Sequence, residues 1–263
     1  MLSMALPSAV DELFPTRRPT AAGAHRLQVV VAHPDDETFG TGSLLLHAAS
    51  LGMRTAVCCA TRGEAGEWPA ELELPSGGIA EQRESELRQA AEALGVREVE
   101  LLDFRDSGMT GESAPDTLVG ASTEAVTEAV RAAVLRFDPT VLVTLDASDG
   151  HRDHARIRDV TVRLGEELGI PVYLSCLAQR LMRQWARLLT ERNPASDYLA
   201  LGELGTPDDE IDIVVDTGEH YAQREAAIRL HRSQSSPFEG LPPQLRREWL
   251  SAEHLVGPVG RAT

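Results

Sequence analysis

Four side chains that can bind a metal ion or move a proton stand almost side by side at positions 33–37, where the sequence reads HPDDE. An anionic turn of this kind repels phosphate but suits a cation, and imidazole with carboxylate is a ligand set for zinc or iron. Because successive side chains of an extended turn point apart, one of Asp35 and Asp36 can bind a metal ion while the other faces its bound water. The alternative is a helix N-cap formed by Asp36 or Thr38, but a cap explains neither His33 nor all three acids, Glu37 included.

A second group of the same residue types, His151, Asp153 and His154, follows the apolar run at 139–145. It lies at the carboxyl end of a predicted buried strand, so we expect it to open onto the same crevice as the first group. The alternative is a polar loop in which Asp149 or Asp153 caps the next helix. A cap does not require two histidines, so the H-x-D-H pattern favours a functional site.

Together the two groups predict a metal site with an open coordination position. His154 completes a ligand set with His33 and Asp36, and three protein ligands leave room for a water molecule, as catalytic zinc sites require. The Asp153 carboxylate is placed to hydrogen-bond one of the histidines and fix its tautomer. His151 is then free to act as an acid or to bind an oxyanion.

The elements that must position these groups are visible as apolar runs alternating with helical stretches. Runs typical of buried strands occupy 27–32, 54–60, 99–102, 139–145, 171–174 and 211–215, and helical patterns occupy 38–51, 80–94, 122–137, 154–169, 176–192 and 218–232. This alternation predicts an α/β fold: a Rossmann-like, mostly parallel sheet flanked by helices. We expect one domain over residues 26–263, preceded by a leader segment at 1–25.

Composition narrows the classes of function. The 263 residues are 42% hydrophobic, enough for a core, and 41 Asp and Glu against 25 Lys and Arg give a formal net charge of −16. So acidic a chain is a poor ligand for nucleic acid or for an anionic membrane surface. We read no signal peptide and no run near the ~20 apolar residues of a membrane span. The adjacent Cys58 and Cys59 are expected to be buried reduced thiols, and the protein a cytoplasmic enzyme.

At these motifs the sequence resembles the LmbE-like, or PIG-L, family of zinc-dependent N-acetylglucosaminyl deacetylases. The family's signatures, A-H-P-D-D-E and H-x-D-H, stand complete at 32–37 and 151–154. The resemblance continues through TRGEAGEW at 61–68, the helix that carries Arg83, RDSGM at 105–109 and HRSQ at 231–234. It covers most of the chain from Leu27 to about Gln234.

The resemblance implies a Rossmann-like fold, a divalent metal ion (usually Zn²⁺, with Fe²⁺ left open) and hydrolysis of an acetamide on an N-acetylglucosamine-type sugar. It assigns roles by motif position: His33, Asp36 and His154 as metal ligands, Asp35 as general base, His151 as acid or oxyanion donor, Asp153 as the residue that orients His151, and Arg83 and Asp106 near the sugar. Whether Asp35 or His151 protonates the leaving amine is left open.

One departure concerns the substrate. Some family members of the thiol pathway carry a Tyr just before H-x-D-H, where this chain has Asp149 and Gly150, so a Tyr-assisted oxyanion pocket is not expected. The substrate is therefore a small amino sugar whose form the sequence leaves open: free sugar, glycoside or thiol-precursor conjugate.

Three other functions are compatible with these residue types. An amidase on a mycothiol-like conjugate belongs to the same family. A phosphoesterase or nuclease would need basic residues at the metal, and the motif turns carry only Arg152. A non-catalytic sugar-binding protein would be expected to have lost Asp35 or one of the metal-ligating residues, and all of them are present.

Several further charged, histidine and aromatic residues have predicted locations. Glu64 and Glu67 are candidates for the pocket mouth, and an exposed ion pair with Glu86 is the default for Arg83. His231 is placed at a helix C-terminus, where it would suit the helix dipole. Surface positions are expected for His25, His47, His220 and His254. Trp185, Trp249 and Phe238 are candidates for the core or for the contacts of a homo-oligomer.

Overall fold

Seven strands form one sheet in the order β3-β2-β1-β4-β5-β7-β6. Their bounds are β1 Arg26–Val31, β2 Arg54–Cys59, β3 Glu98–Leu101, β4 Val141–Leu145, β5 Val172–Cys176, β6 Ile213–Asp216 and β7 Ala252–Val259. The first five are parallel, and β7 pairs antiparallel with both β5 and β6. The computed structural model describes residues 13–14, 25–69, 72–73, 75–194 and 197–260.

Helices cover both faces of the sheet. Their bounds are α1 Asp36–Phe39, α2 Gly42–Ser50, α3 Gly78–Ala93, α4 Thr123–Phe137, α5 Arg152–Leu168, α6 Gln179–Arg192, α7 Tyr221–Ile228 and α8 Pro243–Leu250. One apolar core lies between the sheet and α2, α3 and α7, and a second lies under α4 and α5. Strands buried on both faces read as continuous apolar runs, and β4 (VLVTL) is buried at every position. The predicted Rossmann-like α/β fold in one domain is confirmed.

Two predicted helices are each divided in the structure. The helix predicted over 38–51 is two helices, α1 and α2, because the backbone leaves the helical conformation at Thr41 (φ −134°, ψ 12°). The preceding Gly40 allows close packing, since a Cβ there would lie 2.9 Å from the Asp36 carbonyl oxygen and 3.1 Å from Leu145. The helix predicted over 218–232 is a 3₁₀ turn at Gly218–His220 followed by α7. His231 therefore lies beyond the helix, and its predicted place in a helical C-terminus is wrong.

The end of the chain holds two elements that sequence periodicity missed. Helix α8 and strand β7 follow Gln234, where the resemblance ends. Strand β7 contains Gly257 and Pro258, residues that argue against a strand interior, so its pattern was not recognised. Helix α8 packs with α6 in a third apolar cluster, which includes Trp249 and Phe238.

The leader segment and the cysteines can be compared with their predicted locations. Of the leader, Leu13 and Phe14 are buried in the core, His25 is half-buried, and the rest of the segment lies outside the described residues. Cys58 and Cys59 are free and buried, as predicted. Among the residues that the structure covers, no helix is both long and apolar enough to cross a bilayer.

Candidate active site

The two sequence motifs meet at the carboxyl edge of the sheet. Strands β1 and β4 are hydrogen-bonded neighbours although about a hundred residues separate them in sequence. They mark the point where strand order reverses, and such switch points open a ligand crevice in α/β sheets. The 33–37 turn follows β1 and the 151–154 motif begins α5 after β4, so both groups face one crevice, as predicted.

Ligand-type atoms of three residues, His33, Asp36 and His154, converge there. His154 Nε2 lies 3.3 Å from His33 Nδ1 and 3.3 Å from Asp36 Oδ1, and His33 Nδ1 lies 3.6 Å from Asp36 Oδ2. Metal–ligand distances of about 2.0–2.1 Å in a tetrahedron place neighbouring ligand atoms about 3.3 Å apart. The two contacts to Asp36 go to different carboxylate oxygens, and each separation is close to such a tetrahedral edge. Two imidazoles and a carboxylate fit a divalent metal ion.

Hydrogen bonds hold each of these side chains in place. Asp36 Oδ2 accepts the backbone N–H groups of Ala32 at 3.2 Å and His33 at 2.8 Å. The second nitrogen of each imidazole meets a carboxylate: His154 Nδ1 lies 2.7 Å from Asp149 Oδ2, and His33 Nε2 lies 3.1 Å from Asp153 Oδ2. Carboxylates in these positions orient imidazole ligands and increase their basicity.

The position of Asp153 corrects one predicted role. Its carboxylate contacts His33 and accepts the N–H of Ser107 at 2.9 Å, whereas only its backbone N–H reaches His151, at Nδ1 and 3.2 Å. The prediction that the Asp153 side chain orients His151 is therefore wrong, because the first turn of α5 points the buried carboxylate inward, toward β1. Asp106 adds a second acid at His33 Nε2, 3.4 Å away.

The acids around the two imidazoles favour positive charge. Burial alone would lower the pKa of His33, but contacts with Asp106 and Asp153 raise it to about 10. Burial also opposes charge on His154, yet Asp36 and Asp149 raise its pKa well above its ordinary value. Burial would raise the pKa of Asp36, but His154 and His33 hold it below its usual range. The cluster thus has an excess of acceptors that a cation would balance.

Asp35 lies beside this cluster in a strained backbone conformation. Its φ of 122° is a genuine outlier for a non-glycine residue. The Glu37 carboxylate accepts the Asp35 N–H at 2.9 Å, and the Asp35 carbonyl accepts the N–H groups of Thr38 and Phe39 at 2.9 and 2.7 Å. Burial raises the pKa of Asp35 to about 6, although the Arg83 guanidinium opposes the rise.

Arg83 is buried rather than exposed, so its expected ion pair with Glu86 is wrong. Its Nη2 donates to Asp35 Oδ2 at 3.0 Å and to the Pro34 carbonyl at 2.6 Å, and its Nη1 donates to the Gly63 carbonyl at 2.8 Å. A Cβ on Gly63 would lie 2.3 Å from this guanidinium. The glycine in the TRGEAGEW segment therefore makes room for an arginine twenty residues later.

His151 sits against the other two histidines without being hydrogen-bonded to either in the described structure. Its ring centroid lies 4.7 Å from that of His33 and 4.7 Å from that of His154. Burial, with His33 and His154 nearby, lowers the pKa of His151 to about 4. A neutral ring whose Nδ1 accepts the Asp153 N–H carries its own hydrogen on Nε2.

A buried pair behind the turn was missed by sequence reasoning. His231 Nε2 lies 2.9 Å from Glu37 Oε1, and both side chains are fully buried. The other Glu37 oxygen is the one that accepts the Asp35 N–H, so His231 supports the strained turn from the far end of the chain. The HRSQ match was the signal available. Surface positions were also wrong for His220 and His254, which are 7% and 5% exposed.

The histidine–carboxylate cluster opens into a cavity of about 810 Å³. All of the predicted site residues line it except the inward-pointing Asp153; they are His33, Asp35, Asp36, Arg83, Asp106, His151 and His154. Of the loop acids, Glu67 lines the cavity, while Glu64 accepts the N–H of Asp106 at 3.1 Å.

One wall of the cavity is aromatic. Trp185, Phe238 and Trp249 line it, so these residues belong to the core and to this wall. Tyr198 also lines the cavity, with its ring edge-on to Trp185 at 5.8 Å. A tyrosine therefore reaches the site from the segment after α6, although none precedes H-x-D-H.

Comparison with known proteins identifies the family. The family model described as GlcNAc-PI de-N-acetylase, PIG-L, matches residues 28–164. A protein of Geodermatophilus obscurus named 1D-myo-inositol 2-acetamido-2-deoxy-alpha-D-glucopyranoside deacetylase is 32% identical over 268 residues, covering 88% of this chain and 91% of that protein. A protein of the same name from Thermomonospora curvata is 31% identical over 274 residues, covering 90% and 92%.

A solved structure shares the fold. The A40926 pseudoaglycone deacetylase aligns with a TM-score of 0.61 over 88% of this chain and 95% of that chain, at 20% identity. The fold, the two complete motifs and the relatives lead to one conclusion: the chain belongs to the PIG-L, or LmbE-like, family of deacetylases.

Proposed function

We propose that this enzyme removes the acetyl group from an N-acetylglucosamine glycoside and that its aglycone is an inositol, as the names of its relatives state for them. The observation that carries the proposal is the convergence of the His33, Asp36 and His154 side chains with Asp35 in the same cavity. Enzymes that hydrolyse a bond with a metal-activated water molecule use a metal site of this kind beside a carboxylic acid of raised pKa.

His33, Asp36 and His154 would hold the metal ion, and we propose Zn²⁺. Two imidazoles and one carboxylate are also compatible with Fe²⁺; zinc is preferred because the sequence resembles zinc-dependent deacetylases and because three protein ligands with an open position are typical of catalytic zinc sites. When bound, a divalent ion at this position acidifies a water molecule and polarises a carbonyl group.

Asp35 acts as the general base. It accepts a proton from the attacking water, and its pKa of about 6 leaves it mostly ionised at neutral pH, yet basic enough to take that proton. Arg83 fixes the orientation of the carboxylate through the 3.0 Å contact with Oδ2. Asp35 then gives the proton to the departing amine, because a neutral His151 has none to spare beyond its own ring hydrogen.

His151 assists as a hydrogen-bond donor. Its Nδ1 is occupied by the Asp153 N–H, so its Nε2–H points elsewhere and can donate to the acyl oxygen as negative charge develops there. Asp153 acts on the site through His33. Asp106 and the remaining N–H groups of Arg83 are the candidates for binding hydroxyl groups of the sugar.

The rival functions fit less well. Arg152, the one basic residue of the motif turns, donates to the carbonyl groups of Gly108 and Gly111 at 2.7 Å each. It is therefore committed to the protein backbone and not placed to bind a phosphate. The amidase reaction and a non-catalytic role are not favoured, because the relatives are named as deacetylases and every motif residue is present.

The test is a substrate panel. Zinc-loaded enzyme is incubated with N-acetylglucosaminyl-inositol, N-acetylglucosamine, a simple alkyl glycoside and a larger-acyl amide of glucosaminyl-inositol, and acetate and new primary amine are both measured. We expect stoichiometric acetate and amine with the inositol glycoside, and loss of both after chelation. Release only from the larger amide would support the amidase. Binding of the sugar without acetate release from any zinc-loaded sample would contradict the proposal.

A further inference from the structure

A second group of metal-ligand side chains lies outside the active-site cavity. His47 is in the last turn of α2, and Glu219 and His220 are in the 3₁₀ turn that leads into α7. None of the three lines the cavity described above. The proposed reaction makes no use of them.

Their ligand atoms point toward a common centre. Glu219 Oε1 lies 3.5 Å from His220 Nε2 and 3.9 Å from His47 Nδ1, and one ligand atom from each residue lies within 4.8 Å of the others. The two separations from Glu219 exceed the edge of a zinc tetrahedron, about 3.3 Å, by a few tenths of an ångström. The Glu219 side chain is 70% exposed, so it is free to close that gap.

The two imidazole nitrogens also lack partners. Within the described residues, His47 Nδ1 and His220 Nε2 are buried atoms that make no hydrogen bond, and His220 as a whole is 7% exposed. A buried polar atom without a hydrogen bond lowers the stability of the fold by about 1–3 kcal/mol. A single partner that binds both nitrogens beside the Glu219 carboxylate would remove this cost for both. A ligated metal ion satisfies both nitrogens at once.

The surroundings hold both rings in place. His220 Nδ1 lies 3.3 Å from Gln223 Oε1, the kind of contact that fixes the tautomer of a ligating histidine. Phe14 packs edge-on against His47, with ring centroids 4.8 Å apart, and the two histidine rings lie 5.8 Å apart.

We propose that His47 Nδ1, Glu219 and His220 Nε2 bind a second divalent transition-metal ion, with Zn²⁺ preferred and water completing its coordination. Nitrogen ligands favour zinc over calcium or magnesium. The ion would join the end of α2 to the turn before α7. Because it binds the folded chain, it would stabilise the protein without taking part in the reaction.

The test counts metal equivalents rather than activity. Chelator-stripped full-length protein is titrated with Zn²⁺ alone by calorimetry, and bound zinc is measured after gel filtration in a competing micromolar chelator. The variants are His154→Ala, which removes a proposed ligand of the active-site metal, Glu219→Gln and His220→Asn. His25→Asn, a half-buried histidine outside both groups, is the matched control.

We expect two equivalents for the wild type and His25→Asn, and one for His154→Ala and His220→Asn; in Glu219→Gln only one equivalent should survive the competing chelator. Glu219→Gln should weaken the affinity for the second zinc ion by at least about tenfold. Loss of a side chain that only supports a metal ligand already weakens metal affinity by about that much. Zinc should still raise the melting temperature of His154→Ala. One equivalent in the wild type, or zinc binding in Glu219→Gln and His220→Asn equal to that of the wild type, would overturn the proposal. A folded Glu219→Gln protein keeps the test valid if His220→Asn fails to fold.

Discussion

Asp35 combines a strained backbone with a carboxylate of raised pKa. A φ of 122° in a non-glycine residue costs on the order of 1–3 kcal/mol and persists only where surrounding contacts enforce it. Here those contacts are Glu37 on the N–H group and Arg83 on the side chain. This backbone conformation directs the Asp35 carboxylate into the cavity, whereas the carboxylate of the next residue, Asp36, faces the histidines.

Removing the Arg83 charge should change the pH dependence of the reaction. Arg83 opposes the rise in the pKa of Asp35, so Arg83→Met should raise that pKa further above 6, by roughly one unit. The ionised base is the active form, and the acidic limb of the kcat/KM profile should therefore move to higher pH. Arg88→Met, an exposed arginine on the same helix, is the control. An acidic limb at the wild-type position in Arg83→Met would contradict the role given to Asp35.

Asp149 should matter for metal affinity. Its carboxylate lies 2.7 Å from His154 Nδ1, and loss of such a contact weakens metal binding by about 10–100-fold. Asp149→Asn should show this loss in a chelator competition and should recover activity in excess metal. Asp159→Asn, on the exposed side of α5, should bind as the wild type does. Unchanged affinity in Asp149→Asn would mean that the imidazole needs no carboxylate.

For individual residues, the sequence was enough to select the candidate site residues but not to predict which side chains they contact. His33, Asp36 and His154 were identified because imidazole and carboxylate at two strand ends have few other uses. The partners of Asp35 and Glu37 were not predictable, since Arg83 and His231 come from distant segments and only packing brings them to the turn. Asp153 was assigned to the wrong histidine because the direction of a side chain in the first turn of a helix depends on where that helix meets the sheet.

A buried ion pair ties three elements behind the site. Arg224 of α7 lies 2.9 Å from Glu253 of β7, and Glu253 accepts the N–H groups of Ser43 and Leu44 at the start of α2. Arg224 also donates to the Phe39 carbonyl at 2.6 Å. The pair therefore fixes the end of α1, which carries Asp36, relative to the antiparallel edge of the sheet.

Arg224→Met should lower the free energy of unfolding by about 3–5 kcal/mol, because it leaves the buried Glu253 charge without a partner. Urea unfolding measures this directly. Arg229→Met, an exposed residue beyond α7, should change stability by no more than about 0.5 kcal/mol. The double variant Arg224→Met/Glu253→Met should lose less than the single one. Equal losses in both would contradict the explanation by an unpaired charge.

The parallel strands and β6 were predictable from sequence, and β7, which makes the antiparallel pairs with β5 and β6, was not. The run at 139–145 is apolar throughout because β4 is buried on both faces. Strand β7 instead carries Glu253 and His254 inside the protein, where they pair with other side chains. Polar residues whose partners lie far away in sequence look like loop residues, so β7 and the preceding α8 escaped prediction.

The net charge of the whole molecule, −16, bears on which glycosides can approach. Around the cavity, the described lining residues include seven Asp and Glu, two Arg (Arg83 and Arg192) and three His. A net negative charge slows the arrival of anions and leaves neutral sugars unaffected. A neutral inositol glycoside suits this surface better than a phosphorylated one.

Salt should therefore separate the two kinds of substrate. The Debye length is about 10 Å at 0.1 M salt, so added salt should raise kcat/KM for a phosphoinositol glycoside severalfold and leave the neutral glycoside within about twofold. Both are measured with the same enzyme preparation. A phosphorylated substrate that is preferred at low salt would contradict the argument from charge.

The most direct test compares wild-type enzyme with Asp35→Asn, measuring acetate release from the inositol glycoside and bound metal on the same samples. We predict that Asp35→Asn keeps its metal, because His33, Asp36 and His154 are untouched, and that it loses at least about 10²-fold in kcat with the loss of the general base. Full activity in a metal-loaded Asp35→Asn protein, or loss of the metal together with the activity, would contradict the assignment of Asp35 as the base beside a separate metal site.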